Sequence, residues 1–179
     1  PYSYIAHKKI LKKQNITFNY KPIFLGGLHK LAGIDSPAFN NYKIKNIKND
    51  CDLVAKKNKI DFKWNSKFPI NSLNIMRGYL FVNEETRKDY LNCFFEAYWK
   101  DNKDLSDIKN IIGLLNSLQI DSEKYFNSIK NQEIKDKLIK FTSEAFNKEV
   151  FGAPTFIVNN KIFWGQDRLE YAIEELDKD

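Results

Sequence analysis

Two adjacent residues near the C-terminus carry the charges that would match the zwitterionic end of an amino acid. Asp167 and Arg168 follow Gly165, where the last helix is predicted to begin. The helix dipole favours an acidic side chain in the first turn, and such a side chain can pair with an ammonium group. An arginine can bind a carboxylate through two parallel hydrogen bonds. The pair therefore indicates a site for an amino-acid group, and the alternative is an ordinary solvated helix start.

A proline before a predicted strand marks a second candidate site. Ala153 and Pro154 precede Thr155-Phe156-Ile157-Val158, and because proline cannot donate to a sheet ladder, it belongs at a strand start. If the Ala153–Pro154 bond is cis, Ala153 offers a backbone donor and acceptor to an extended peptide lying alongside. The alternative is an ordinary trans proline before an edge strand, because only about 5–6% of X–Pro bonds in folded proteins are cis.

Both candidate sites lie around a predicted hairpin at the end of the chain. Residues 155–158 and 161–164 are rich in strand-forming residues and are separated by Asn159-Asn160, which is typical of a two-residue turn. A helix is predicted over residues 166–176, with its inward-facing residues at Leu169, Ile173 and Leu176.

The rest of the chain is predicted to be mainly helical. The apolar spacing over Tyr4–Lys13 predicts a helix with Ser3 as its N-cap, and the alternation over Ile16–Lys21 predicts a strand that ends at Pro22. Residues 62–71 are expected to be irregular. Further helices are predicted over residues 40–59, 72–82, 84–100, 106–118 and 132–147, with a short one capped by Asp121 or Ser122.

Composition excludes several classes of protein. The 179 residues carry a net charge of +6, but only Arg77, Arg87 and Arg168 are arginines and the lysines are spread along the chain, so we expect no nucleic-acid partner. No apolar run is long enough to predict a membrane span. The two cysteines, Cys51 and Cys93, form no CxxC motif or metal-ligand cluster, which favours helix-packing roles in a reducing compartment and predicts no metal site.

The motifs together resemble a known family. Phe151-Gly152-Ala153-Pro154-Thr155-Phe156 and Phe163-Trp164-Gly165-Gln166-Asp167-Arg168-Leu169 are similar to the C-terminal signature of 2-hydroxychromene-2-carboxylate isomerases and kappa-class glutathione transferases. Pro1-Tyr2-Ser3-Tyr4 resembles the remainder of the N-terminal Ser-Pro-Tyr-Ser motif of this family. Between these, Lys21-Pro22, Leu25-Gly26-Gly27, Phe68-Pro69-Ile70-Asn71-Ser72 and Met76-Arg77 match in order.

The resemblance implies an α/β thioredoxin-like fold of the DsbA type. In this fold an all-helical domain is inserted between the βαβ and ββα halves. We therefore expect a discontinuous thioredoxin-like domain over residues 1–23 and 130–179 and an inserted helical domain over residues 24–129. The resemblance also implies that the first strand and the catalytic serine stand immediately before Pro1, so we expect the complete protein to be longer. Ser3 occupies the place of the second cysteine of related oxidoreductases, which excludes dithiol chemistry through that pair.

The same resemblance implies a glutathione-dependent enzyme. Glutathione would act as the cofactor, and its thiolate would add reversibly to an unsaturated aromatic acid and leave after isomerisation. The expected glutathione-binding residues are Ala153, Pro154, Asp167, Arg168 and Lys43. The expected substrate-pocket residues are Asn71, Phe24, Trp64 and Trp164, and ordinary core packing is the alternative for each aromatic residue.

One departure from the family pattern leaves alternatives open. Ile34 stands where the family often has an asparagine facing the active site, so the substrate or the isomerase activity could differ. The alternatives are a glutathione transferase, which would release the adduct, and a non-catalytic glutathione-fold binding protein. The resemblance further implies a cytoplasmic homodimer.

Overall fold

The computed structural model describes residues 1–178, which contain nine α-helices and one two-stranded hairpin. Two short 3-10 helices, Pro37–Phe39 and Gln166–Arg168, complete the regular structure of this part of the chain. The elements in chain order are α1 Tyr2–Ile10, α2 Leu25–Ala32, α3 Asn41–Lys57, α4 Leu73–Phe81, α5 Glu84–Trp99, α6 Ile108–Ser117, α7 Ser122–Ser128, α8 Gln132–Asn147, β1 Thr155–Val158, β2 Lys161–Trp164 and α9 Leu169–Leu176.

The chain divides into two compact units. One, called here the hairpin unit, comprises residues 1–20, 25–61 and those from 143 onward, and the other, the helical unit, comprises residues 21–24 and 62–142. This grouping places residues 25–61 with the hairpin unit and residues 130–142 with the helical unit, and the domain boundaries expected from the resemblance stay a prediction. Part of the reason for this grouping is α3, which packs on α1 in the hairpin unit.

The hairpin forms where the sequence predicts it. β1 and β2 pair antiparallel, with Thr155 opposite Trp164 and Val158 opposite Lys161. Asn159 and Asn160 have φ values of 48° and 60°, the left-handed conformation that a two-residue turn requires and that asparagine tolerates. The prediction of strands over 155–158 and 161–164 is therefore confirmed.

The strand predicted over Ile16–Lys21 is wrong. Residues 16–21 lie outside every helix and strand, and the sheet within residues 1–178 consists of β1 and β2 alone. An alternating pattern shows only that one face can be buried, whereas a strand also needs a neighbour to complete its hydrogen-bond ladder. The C-terminal part of this segment is anchored to α1, because the Tyr20 hydroxyl lies 3.1 Å from His7 Nδ1.

Two helix details also differ from the sequence predictions. Helix α1 begins at Tyr2 with Pro1 at the N-cap position and no side-chain cap, so Ser3 lies inside the first turn. Proline suits a helix start because its ring fixes φ and it has no N–H to leave unpaired. At the other end of the chain, Leu176 is exposed and Glu175 is buried instead, because Lys161 and Lys178 hold the Glu175 carboxylate with salt bridges at 2.5 and 3.2 Å.

The helical unit is held by capped helices and a tyrosine core. Asn83, Asp107 and Asp121 accept hydrogen bonds from the first-turn amides of α5, α6 and α7, so the cap of α6 is Asp107 and not the predicted Ser106. In the core, the Tyr90 hydroxyl lies 2.9 Å from the Tyr125 hydroxyl and donates to the Ile75 carbonyl at 2.9 Å. Helices α4, α5 and α7 are joined by these contacts. Among residues 1–178, none of the helices has both the length and the apolar character needed to cross a bilayer.

Candidate functional site

The turn before β1 is tied to the turn after β2. The Ala153–Pro154 peptide bond is cis, and the Pro154 carbonyl accepts a hydrogen bond from the Gly165 amide at 3.0 Å. The Thr155 hydroxyl donates to the Gly152 carbonyl at 2.7 Å, which closes the turn over residues 152–155. The first candidate site, Ala153-Pro154, is therefore held directly beside the residue that begins the second.

Trp164 covers the backbone of this turn. A Cβ atom at Gly152 would lie 2.5 Å from Trp164 Nε1, so only glycine leaves room for the indole ring at this place. The Phe151 ring lies 5.0 Å from the Trp164 ring, and both side chains are partly open to solvent, with Trp164 53% exposed. The two rings thus form an aromatic surface next to Ala153-Pro154 that a ligand can contact.

Asp167 and Arg168 present their charges to solvent beyond Gly165. Gly165 has φ of +113° and a Cβ there would run into Asp167 Oδ1, so the tight turn requires glycine. Asp167 Oδ2 and Arg168 Nη2 lie 3.1 Å apart, and both side chains are about half exposed. An exposed ion pair of this kind contributes only about 0–1 kcal/mol, so both groups can exchange partners when a ligand carrying both charges arrives. The Arg168 guanidinium also lies over the Tyr171 ring at 5.1 Å.

Lys9 positions this charged turn from helix α1. Its ammonium group donates to Gln166 Oε1 at 2.6 Å and to the Gln166 carbonyl at 3.2 Å, and Gln166 is buried. Burial lowers the pKa of Lys9, while the Glu170 and Asp167 carboxylates act in the opposite direction. Sequence reasoning missed Lys9 because nothing in the lysine-rich first helix distinguishes it from its neighbours. The only available signal was the place of Gln166 inside the C-terminal motif.

The N-terminal motif is tied to α3 through Tyr2. The Tyr2 hydroxyl donates to Asp50 Oδ2 on α3 at 2.8 Å. Burial, then this hydrogen bond, and also the charge of Asp167 raise the pKa of Tyr2, so its hydroxyl stays protonated and acts as a donor. The neighbouring Cys51 is fully buried, and burial raises the pKa of its thiol to about 12, which keeps it unreactive. The structure thus places Tyr2 within the electrostatic reach of Asp167.

The remaining predicted residue of the hairpin unit lies on α3. Lys43 is exposed in the first turn of α3, where its amide is bonded to Asn40 Oδ1 at 3.0 Å. Ile34, at the position where the family often has asparagine, is 39% exposed. Of the predicted site residues, the structure therefore joins Ala153, Pro154, Trp164, Asp167 and Arg168 into one assembly, with Lys43 elsewhere on the same unit.

The other three predicted pocket residues belong to the helical unit. Trp64 packs edge-on against Phe68 and Trp99, with ring centres 4.8 and 5.7 Å apart. Phe24 donates its amide to Thr142 Oγ1 at 3.0 Å. Asn71 is exposed and accepts the Leu73 amide at 3.0 Å, which makes it part of the turn that begins α4. Each of these residues has a structural contact within its own unit.

Comparison with known proteins identifies the family. The model of the DSBA-like thioredoxin domain matches residues 1–177. The chain belongs to the DSBA-like thioredoxin domain family. A solved structure of a 2-hydroxychromene-2-carboxylate isomerase superposes on this DSBA-like domain with a TM-score of 0.88 at 22% identity, covering 99% of this chain and 91% of that one. The thioredoxin-like fold predicted from the motifs is therefore confirmed.

Curated relatives of this DSBA-like domain carry the same name as that structure. The 2-hydroxychromene-2-carboxylate isomerase of Sphingobium xenophagum is 23% identical over 176 residues, which cover 96% of this chain and 90% of the relative. The isomerase of Pseudomonas putida is 24% identical over 176 residues, which cover 94% and 85% respectively. These matches confirm the resemblance that the C-terminal motifs indicated.

Proposed function

We propose that this DSBA-like protein is a glutathione-dependent isomerase that acts on an aromatic acid similar to 2-hydroxychromene-2-carboxylate. One observation carries the proposal: the hydrogen bond from Gly165 to Pro154 joins the Ala153-Pro154 turn to Asp167 and Arg168. The backbone of the Ala153-Pro154 turn thus lies next to the exposed charges of Asp167 and Arg168. The names of the curated relatives support the isomerase reaction.

The residues present fit glutathione by the chemistry of their donors and acceptors. The γ-glutamyl end of glutathione carries a carboxylate and an ammonium group, which match Arg168 and Asp167. Because those two side chains are half exposed and bonded mainly to each other, a ligand can replace that weak pair with two charge-assisted ones. Ala153 would bind the cysteinyl part through its backbone, and Trp164 would cover one side of it.

The protein groups would bind and orient glutathione in this site. When bound, glutathione would supply a thiolate nucleophile that adds reversibly to the unsaturated acid. Lys9 donates to Gln166, and it would thereby hold the turn that carries Asp167 and Arg168. Tyr2 donates its single hydroxyl hydrogen to Asp50, so it would tie the start of α1 to α3 beside the site. Lys43 is proposed to add a positive charge at the start of α3.

Two alternatives use the same residues. In a glutathione transferase, the thiol adduct would be released as the product. In a binding protein, glutathione would be held without turnover, and the apolar, partly exposed Ile34 favours this alternative because it offers no hydrogen bond where the family often has an amide. In either case we propose a homodimer in a reducing, cytoplasmic setting, and light scattering at two protein concentrations tests the dimer.

A turnover assay separates these functions. Isomerisation of a 2-hydroxychromene-2-carboxylate is followed by ultraviolet absorbance with and without glutathione, for the parent, Arg168→Ala and the control Arg87→Ala, which lies in the helical unit. We expect turnover only with glutathione, a large loss in Arg168→Ala and none in Arg87→Ala. Turnover without glutathione would contradict the proposal. Accumulation of a conjugate with 1-chloro-2,4-dinitrobenzene, without isomerisation, would establish the transferase alternative.

A further inference from the structure

The helical unit contains a half-open cavity that the proposed glutathione site does not use. Its volume is about 740 Å³, and residues at the start of α4, on α6 and α7, and in the first turn of α8 line it. Cavities of about 300–1,000 Å³ are typical of sites for small organic ligands. All of the lining residues belong to the helical unit, so the cavity can be described from this unit alone.

One wall of the cavity is aliphatic. Five of its six apolar side chains are isoleucine or leucine, and only one is aromatic. A flat aromatic ligand would gain stacking from aromatic neighbours, whereas aliphatic side chains give unspecific dispersion contacts that suit a flexible hydrocarbon chain. Ile108 is 54% exposed and stands at the rim, while most of the others are buried. The apolar residues are Ile75, Leu105, Ile108, Ile111, Phe126 and Ile129.

Three cations lie around the same cavity. Arg77, Lys130 and Lys135 line it, against the single carboxylate of Glu123. Within residues 1–178, none of the three cations forms a salt bridge, and Arg77 Nη1 reaches Asn74 Oδ1 only at 3.5 Å. The electrostatic surroundings of the cavity therefore favour an anion.

Arg77 contains a buried donor that the described part of the chain leaves unsatisfied. Its Nε is buried and has no hydrogen-bond partner among residues 1–178. Buried N–H groups are normally paired, and each exception needs an explanation. Arg87 also has a buried, unpartnered Nε, but its guanidinium is bonded to Glu84 at 3.4 Å and lies over the Tyr79 ring at 5.5 Å. Arg77 is thus the guanidinium that faces a cavity and lacks a carboxylate partner.

We propose that this cavity binds a medium-chain fatty carboxylate, whose head group pairs with Arg77 and whose chain lies along the aliphatic wall. A carboxylate can accept from the terminal guanidinium nitrogens of Arg77, of which Nη1 has only a 3.5 Å contact with Asn74 Oδ1 within residues 1–178. Lys130 and Lys135 add attraction at longer range. The proposal goes beyond the glutathione-dependent function, and it stands whether or not the protein is an isomerase.

Calorimetric titration with decanoate, below its micelle concentration, tests the proposal. We expect one decanoate molecule bound per chain. The affinity of Arg77→Met for decanoate should be at least about tenfold lower than that of the parent, because a charge-assisted pair is lost. The matched control Arg87→Met should bind decanoate as the parent does. Decanol, which has the same chain without the charge, should also bind at least about tenfold more weakly. Equal affinity of the parent and Arg77→Met for decanoate, or equal affinity of the parent for decanol and decanoate, would overturn the proposal.

A second variant tests the proposal even if Arg77→Met fails to fold. Ile108→Asp places a negative charge at the rim of the cavity, in the first turn of α6, where the helix dipole tolerates an acidic side chain. Its thermal melting should stay close to that of the parent, and its decanoate binding should be much weaker because of charge repulsion. Unchanged binding in a folded Ile108→Asp variant, or no binding to the parent, would likewise overturn the proposal.

Discussion

Replacing Gly78 with alanine is predicted to destabilise the protein strongly. Gly78 lies in the middle of α4, and a Cβ atom there would run into the hydroxyl groups of Tyr125 and Tyr90. The Tyr90 hydroxyl donates to the Ile75 carbonyl at 2.9 Å and lies 2.9 Å from the Tyr125 hydroxyl, which is 3.3 Å from the Asn74 carbonyl. Burial raises the pKa of both tyrosines, that of Tyr125 to about 12, so they remain neutral donors.

The size of the effect follows from three contributions. Overpacking a closed core costs about 1–3 kcal/mol, and each hydrogen bond lost when a tyrosine moves costs about 0.5–1.5 kcal/mol more. Alanine in place of glycine inside a helix stabilises the protein by about 0.5–1 kcal/mol. With two hydrogen bonds lost, the free energy of unfolding should therefore fall by about 1–5 kcal/mol. Urea denaturation followed by circular dichroism measures this change.

Gly113→Ala is the matched control for this prediction. Gly113 lies inside α6, is exposed, and has no atom within 4 Å of an added Cβ, so the same substitution should stabilise by up to about 1 kcal/mol. Tyr125→Phe removes one of the obstructing hydroxyls, and Gly78→Ala should cost less in that background. If Gly78→Ala were as stable as Gly113→Ala, the packing described for α4, α5 and α7 would be wrong.

Three further predictions concern the hairpin unit and the cysteines. Lys9→Met should weaken glutathione binding several-fold by releasing Gln166, whereas Lys8→Met on the same helix should not, as titration calorimetry would show. The hydrogen bond from Lys161, and to a lesser extent that from Lys178, lowers the pKa of Glu175. At neutral pH the parent should therefore have a higher melting temperature than Glu175→Gln. That advantage should disappear as the pH falls below about 4.5 and through the depressed pKa, and a constant difference down to acid pH would contradict the assignment. Iodoacetamide at pH 8 should modify the partly exposed Cys93 before the fully buried Cys51, and mass spectrometry showing the reverse order would refute this.

The helices and the hairpin were largely predictable because their signals are local. The apolar spacing located α3 to α8 to within a few residues, and the Asn159-Asn160 pair fixed the hairpin. The strand expected over Ile16–Lys21 failed because strand formation depends on a partner elsewhere in the chain, which periodicity does not reveal. Leu176 was expected inside because it is apolar, but salt bridges from two lysines bury Glu175 instead.

The residues of the candidate site could be predicted only where they belong to recognisable sequence motifs. Ala153, Pro154, Asp167 and Arg168 stand in two short motifs, and the structure joins these through one hydrogen bond between Gly165 and Pro154. Lys9 and Asp50 could not be found in this way, because their roles depend on distant partners, Gln166 and Tyr2. Contacts between residues far apart in the chain are set by packing and leave no local pattern.

Titration of glutathione into the protein and into Arg168→Ala tests the central claim most directly. We predict that glutathione binds the parent and that Arg168→Ala loses about 2 kcal/mol, the scale of a charge-assisted pair, or about thirtyfold in affinity. The dipeptide Cys-Gly, which lacks the γ-glutamyl group, should bind both proteins equally. No glutathione binding to the parent, or equal binding to both proteins, would contradict the account of Ala153, Asp167 and Arg168 as a glutathione site.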